Sequence, residues 1–355
     1  MRVALLANLK KNAPTWPDMS PDQWDDLDSE ETIEAISRAL ASRGHRVTFL
    51  EGDTTLYDSV RKLKPDICFN ICEGHFGDGR EAQVPALLET LRIPYTGSRV
   101  LTLALALDKP MTKRVLTYHE LPTPLFQVLE REDEPLDPVM TFPLFVKPSR
   151  EGTGMGVSGE SIVRDESELR AQAVRIFERY NQPALVERFI EGREVTLGVV
   201  GNLTMPAARR VPVDEHAARV FRGLHFFPPL EVNLEKYPEA EGGVYTSRIK
   251  VELAHDFHYL CPAPLSEAQL EELNFLTAAV FRVTGCLDVA RVDFRLDRHD
   301  NDKPYFLEIN PLPGLNPGYS DLCIEAEAGG WAYDELVNRI LDEAIKRYGL
   351  KETVH

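Results

Sequence analysis

Short β-rich runs alternate with helical runs from residue 2 to residue 97, and this alternation narrows the possible folds more than any other feature. Residues 2–8 (RVALLAN), 46–52 (RVTFLEG), 65–71 (PDICFNI) and 93–97 (IPYTG) have the composition of strands. Between them, residues 28–44 predict a helix. Asp28 and Glu31 have capping-box spacing, Ile33, Ile36 and Leu40 lie on one face, and Gly44 ends it. DSVRKLK and REAQVPALLETLR predict two more helices. Such a succession implies a small parallel α/β domain with helices on both faces of the sheet, ending near residue 100.

Beyond that point the pattern changes. Residues 98–124 are mostly helical, and FPLFVKPS, GVSGESIV and PALVERFI follow as strands around a helix near 166–180. From residue 193 the chain becomes β-rich, with a polar, loop-like region over about 202–262. A helix over 266–285, strands over 287–297 and 304–310, and a closing helix from about Tyr333 to Arg347 complete it. A loop that long in a compact chain implies a lid or a disordered segment.

The formal net charge of −17 argues against broad binding to a nucleic-acid backbone. No apolar run approaches the roughly 20 residues that span a bilayer. The apolar N-terminus ends at Lys10, Lys11 and Asn12, without the pattern of a secretory leader. Five scattered cysteines suit reduced thiols in a cytoplasm, and Cys68 and Cys72, though spaced like a metal pair, lack a second pair. The histidines of HDFH (255–258) lack a carboxylate partner for a metal site.

The glycine run Gly152-Thr153-Gly154-Met155-Gly156 lies in FVKPSREGTGMGVS. A dinucleotide fingerprint requires G-x-G-x-x-G opening a helix, and a strand-like segment follows here instead; a Walker loop requires Gly-Lys-Ser/Thr, which is absent. The run therefore joins two antiparallel strands, either as a plain hairpin or as a flap whose backbone N–H groups cover phosphates, with Lys147 supplying charge. Asp293 in ARVDFRLD and Glu308 and Asn310 in FLEIN form a hard oxygen set if their strands pair, suited to Mg²⁺ and nucleotide phosphates. Arg291 shares the face of Asp293, where a cation can meet growing negative charge. Gly314 lies in the Pro- and Gly-rich turn that follows, with backbone N–H groups near a developing oxyanion. Glu187 ends a strand at a hinge whose Phe189 and Ile190 offer an apolar wall to an adenine, and Glu194 suits a ribose diol.

In this order, PYTGS with LDK (107–109), VKPSREG (146–152), RVD (291–293) and EIN…PG (308–314) resemble the D-alanine–D-alanine ligase family of the ATP-grasp superfamily over nearly the whole chain. The resemblance implies an α/β (α+β) ATP-grasp fold of three domains. These are an N-terminal α/β domain over 1–100, a central subdomain over 101–190, and a C-terminal subdomain over 191–355 with a mobile loop at about 202–262. It implies ATP and two Mg²⁺ ions, amino-acid substrates, a cytoplasmic homodimer, and a role in peptidoglycan synthesis. Lys109 and Lys147 would contact ATP phosphates beneath Thr153 and Gly154. Glu187, Arg188 and Ile190 would bracket adenine, and Glu194 would bind ribose. Asp293, Glu308 and Asn310 would hold metal, Arg291 and the Gly314 amide would stabilise the tetrahedral intermediate, and Lys250 would reach the γ-phosphate.

Three departures fall in the substrate pockets. A longer insert over about 10–28 replaces the region of the first substrate's glutamate, leaving Glu30 or Glu31 as candidates. CEGHFGDGREAQ (72–83) puts either Glu73 or His75 on the family histidine. GLNPGYSDL is one residue longer than the family turn, so Tyr319 or Ser320 takes the place of the serine that binds the second substrate's carboxylate. The nucleotide and metal motifs are complete, so a ligase acting on other amino acids remains the alternative to D-alanine ligation.

Overall fold

The computed structural model describes residues 1–203, 222–232 and 259–350. Strands β1 (Arg2–Ala7), β2 (Arg46–Glu51) and β3 (Ile67–Asn70) form a parallel sheet in the order β2-β1-β3. Successive residues of β1 point to opposite faces. Val3, Leu5 and Ala7 pack with Ile33, Ile36 and Leu40 of α1 (Glu30–Ser42), while Ala4 and Leu6 pack with Leu56 and Val60 of α2 (Leu56–Leu63) and Leu88 of α3 (Gln83–Leu91). Helices therefore cover both faces, as the alternation predicts. Cys68 and Cys72 are buried in the second of these cores.

Two local expectations are corrected. The N-cap of α1 is Ser29, whose side chain accepts from the Thr32 N–H, and not Asp28. Residues 93–97 contribute an isolated parallel bridge between Tyr95 and Cys68 rather than a strand.

Helices α4 (Val100–Leu107) and α5 (Lys109–Tyr118) lead to a four-stranded antiparallel sheet. It comprises β4 (Phe126–Leu129), β5 (Leu144–Pro148), β6 (Ile162–Val163) and β7 (Ala184–Arg188), in the order β4-β7-β5-β6. Helix α6 (Glu166–Tyr180), capped by Asp165, packs on it. The glycine run joins β5 to β6, which pair antiparallel. Only Ile162 and Val163 of the expected strand GVSGESIV are extended, because Gly159–Ser161 form a 3-10 turn first.

The third sheet runs β11-β10-β8-β12-β13, with β9 also paired to β8. Its strands are β8 (Gly192–Gly201), β9 (Leu224–Phe226), β10 (Leu230–Val232), β11 (Tyr259–Leu260), β12 (Val289–Asp297) and β13 (Lys303–Asn310). The described parts of the expected 202–262 loop thus include short strands. Helix α7 (Glu267–Thr284), with the capping box Ser266–Gln269, buries Leu273, Leu276 and Val280 against this sheet. Gly192 opens β8 where no larger residue fits, since an added Cβ would lie 1.7 Å from the Leu296 carbonyl oxygen. Helices α8 (Asp321–Ala328) and α9 (Tyr333–Tyr348) close the fold. Leu336, Ile340 and Leu341 of α9 share one core with Val3, Leu5 and Ile36, so the two ends of the chain are packed together. Among the described residues no helix is long and apolar enough to cross a membrane.

Candidate active site

A cleft of about 970 Å³ lies between the second and third sheets. Lys109, Lys147, Gly154, Glu187, Arg188, Ile190, Glu194, Arg291, Asp293 and Glu308 all line it, from six separate elements and two loops. One end is apolar. Phe145 and Phe189 stack with ring centroids 6.4 Å apart, beside Ile190, Met155 and Leu307. The other end is charged.

The charged end is organised by pairs of β12 and β13. Asp293 stands opposite Glu308 and Arg291 opposite Asn310 in the antiparallel ladder. A register shift just after Asp293 leaves Leu307 as an extra residue, which lets Leu307 and Glu308 both reach the cleft. Arg291 donates two hydrogen bonds to Asp293, each of 2.8 Å, and approaches Asp321 at 3.4 Å. Asn310 donates to Asp293 at 3.0 Å. Lys109, the first residue of α5, pairs with Glu308 at 3.2 Å and donates to the Glu151 carbonyl. Burial opposes the charge on Arg291, but Asp293 outweighs it and raises its pKa well above the usual guanidinium value.

Two carboxylates and an amide side by side are oxygen donors of the kind that hard divalent cations take. Among the described residues no three His, Cys, Asp or Glu side chains are close enough to hold a metal by themselves. The set therefore fits a cation completed by Asn310 and by phosphate oxygens. The cationic arms of Arg291 and Lys109 already neutralise its carboxylates.

Glu187 is held deeper than expected. Its carboxylate pairs with Lys113 and, at 2.8 Å, with Lys147. Burial opposes its ionisation, but the two ammonium groups outweigh this and hold the carboxyl below the usual range. Burial pushes the Lys113 ammonium down to about 8, against the pull of Glu187. Glu194 pairs with Arg295 at 2.8 Å and Arg188 with Asp297 at 3.1 Å, both at the cleft.

The flap carries left-handed backbone at Thr153 (φ 52°), Gly154 (φ 73°) and Gly156 (φ 72°). Gly154 faces the first cleft, and Thr153 faces a second cavity of about 1230 Å³ that shares Lys109, Glu151, Arg291, Glu308 and Asp321 with it. Asn310, Gly314, Tyr319, Ser320 and Glu73 also line this second cavity. The Ser320 hydroxyl accepts from the Asn316 N–H at 2.9 Å.

His75 does not line either cavity; it packs edge-on against Trp24 at 5.4 Å. Glu30 and Glu31 are also absent from both walls, and the insert presents Asp25, Asp26 and Asp28 instead. Lys250 and the HDFH histidines lie outside the described residues. Sequence reasoning missed Lys113, Glu151, Asp321 and Arg80. Arg80 joins Asp26 (3.2 Å) to Glu151 (2.9 Å), and its place within CEGHFGDGREAQ was its available signal.

An antiparallel flap sheet, a second sheet carrying an Arg-x-Asp and a Glu-x-Asn strand, and a cleft between them lined by both define an ATP-grasp protein. The fold is shared with the D-alanine–D-alanine ligase of Bacillus anthracis solved in complex with ATP, at a TM-score of 0.72 and 21% identity over 98% of this chain and 99% of that one. Residues 115–220 and 230–342 match the family described as D-ala D-ala ligase C-terminus. The D-alanine–D-alanine ligase of Syntrophotalea carbinolica is 36% identical, covering 89% of this chain and 91% of its own length. That of a Synechococcus species is 32% identical, covering 90% of each chain. The chain belongs to the D-alanine–D-alanine ligase family.

Proposed function

We propose that this protein is an ATP-dependent ligase that joins two D-alanines through an acyl phosphate, for peptidoglycan synthesis. The observation that carries the reading is the single cleft in which Lys109, Lys147, Arg291, Asp293 and Glu308 converge beneath the flap residue Gly154. Family membership supports the D-alanine pair as substrates, and the ATP named in the complex of the Bacillus anthracis protein supports the nucleotide.

In the reaction, a D-alanine carboxylate oxygen attacks the γ-phosphorus of ATP. The bond to the β–γ bridging oxygen breaks, and ADP leaves. The amine of the second D-alanine attacks the acyl carbon, loses a proton and expels phosphate. Lys109 and Lys147 hold the phosphates, with Thr153 and Gly154 above them. Glu187, Arg188 and Ile190 form the adenine end, and Glu194 faces the ribose. Since Glu187 is clamped by Lys113 and Lys147, its part there is to fix the strand end and the Lys147 ammonium. Asp293, Glu308 and Asn310 would hold two Mg²⁺ ions, which supply neutralising charge to the transferring phosphoryl group. Arg291 and the Gly314 amide face the oxyanion. Tyr319 or Ser320 receives the second substrate's carboxylate, and Glu73 faces the substrate ammonium. No side chain forms a covalent bond, so positioning and charge supply the rate.

The resemblance supports a cytoplasmic homodimer assembled through the N-terminal unit, and a division into 1–100, 101–190 and 191–355. The decisive assay measures phosphate release from ATP and Mg²⁺ with single amino acids, together with product mass. Release with D-alanine alone, yielding the dipeptide, is expected. Release only with another amino acid would reassign the substrates, and nucleotide binding without release would remove the enzymatic reading.

A further inference from the structure

Arg80 lines neither cavity, yet it holds a stretch of backbone that both share. It opens the 3-10 turn Arg80–Ala82 ahead of α3 and is only 8% exposed. Gly74, at φ 75°, lets the preceding loop close over it, since a Cβ there would lie 2.6 Å from the Arg80 carbonyl oxygen. The guanidinium donates from Nη1 to the Arg150 carbonyl at 2.9 Å. From Nη2 it donates to Glu151 Oε2 at 2.9 Å and to Asp26 Oδ2 at 3.2 Å. Burial opposes its charge, but Glu151 and Asp26 outweigh this and raise its pKa above the usual guanidinium value.

The residues it grips run straight into the glycine flap. Gln182 Nε2 donates to Glu151 Oε1 at 2.6 Å, and Gln182 Oε1 accepts from the Arg150 N–H at 2.6 Å. Arg80 and Gln182 thus take one Glu151 carboxylate oxygen each. Lys109 is tied to the same segment. Its backbone N–H donates to the Ser149 carbonyl at 3.1 Å, and its ammonium donates to the Glu151 carbonyl while pairing with Glu308 at 3.2 Å. A lysine ammonium is a point charge on a flexible stem, so the acceptors it meets set its position. A planar guanidinium fork on a carbonyl and on the next residue's carboxylate leaves those acceptors little freedom.

We infer that Arg80 is a positioning residue for Lys109: by fixing the Arg150 carbonyl and the Glu151 side chain, it fixes the Glu151 carbonyl that aims the Lys109 ammonium at the cleft. The inference rests on the reading in which Lys109 contacts ATP phosphates, and it adds to that site a residue lying outside the cleft.

The test is a double-mutant cycle on nucleotide affinity, measured by calorimetry with Mg²⁺ and a non-hydrolysable ATP analogue. Arg80→Met should weaken binding about fivefold to tenfold, part of the worth of a charged hydrogen bond from Lys109 to phosphate. In Lys109→Met the same Arg80 substitution should change affinity by less than about twofold, because no ammonium is left to aim. Arg80→Met leaves Asp26 and Glu151 without their cation, so Arg80→Lys runs beside it, keeping the charge and losing the fork. Its loss should be smaller, and should vanish in Lys109→Met in the same way. Equal losses with and without Lys109, or full affinity in every variant that folds, overturn the inference and leave Arg80 as a packing contact. Phosphate release with D-alanine by the unmodified enzyme reports separately on the ligase reading. If that enzyme binds the analogue and releases no phosphate with any amino acid, the ligase reading fails and the binding cycle still decides the role of Arg80. If it does not bind the analogue, both fail.

Discussion

The Asp22 carboxylate accepts a hydrogen bond from the backbone N–H of Gly156 at 2.9 Å, so the N-terminal insert holds the glycine flap directly. Tyr180 donates its hydroxyl to the same carboxylate at 3.0 Å, which fixes Asp22 from the far side. The insert over about 10–28 therefore has a structural task at the glycine flap as well as at the second cavity. Asp22→Ala removes the acceptor. The KM for ATP should rise roughly fivefold, equivalent to the ~1 kcal/mol of one hydrogen bond, with kcat less affected. Hydrogen exchange over 152–157 should accelerate; unchanged exchange would show that the flap is held by other contacts.

Glu187→Gln leaves the ammonium groups of Lys113 and Lys147 facing each other in a buried site, where the Lys113 side chain is 0% exposed. Breaking a buried ion pair from one side costs about 3–5 kcal/mol. Chemical denaturation should show a loss of that order. Adding Lys113→Met should restore part of it, because the second uncompensated charge is then gone.

Arg291→Lys keeps a positive charge but loses the fork that spans both oxygens of Asp293. If Arg291 stabilises the tetrahedral oxyanion, kcat should fall about 10²–10³-fold while nucleotide affinity changes little. A loss in nucleotide affinity alone, with kcat retained, would place Arg291 in binding rather than in catalysis.

Asp293→Asn removes one of the two carboxylates of the oxygen set. The Mg²⁺ concentration giving half-maximal phosphate release should rise about tenfold or more, and chelation of the metal should abolish release in the unmodified enzyme. An unchanged metal titration would remove Asp293 from the metal site.

Asp28 links stability to pH. Burial pushes its carboxyl up to about 7 from an ordinary value of 3.8. Between those values the folded state keeps a proton that the unfolded chain has released, so the contribution of Asp28 to stability falls as pH rises through this window. Asp28→Asn removes the titration. The variant should gain ~1–3 kcal/mol over the wild type at pH 8 and little at pH 4, measured by denaturation at both values.

Much of this arrangement was legible before any coordinates. The alternation over 2–97 carried the parallel sheet because period-two burial and helix caps are local signals. ARVDFRLD and FLEIN carried the oxygen set, since residues two apart on a strand share a face. Short elements were missed: β4 and α8 span too few residues for periodicity to separate them from loop. The cap of α1 moved one residue because Ser29 and Asp28 are equivalent candidates until the chain direction before the helix is known. His75 was chosen by position in a motif, but the aromatic rings of Trp24 and Phe76 hold it outside both cavities.

The sequence by itself determined most elements, the glycine flap and the side-chain chemistry of the residues that line the first cleft, because these depend on periodicity, turn geometry and side-chain type within a few positions. Only the tertiary structure decided that Lys113 closes a buried triad with Glu187 and Lys147, that Asp22 holds Gly156, and that Asp26, Asp28, Glu73 and Glu81 face one cavity. These groups lie far apart along the chain. Their charges and hydrogen bonds acquire their strength from burial, which packing creates and no local run of residues records.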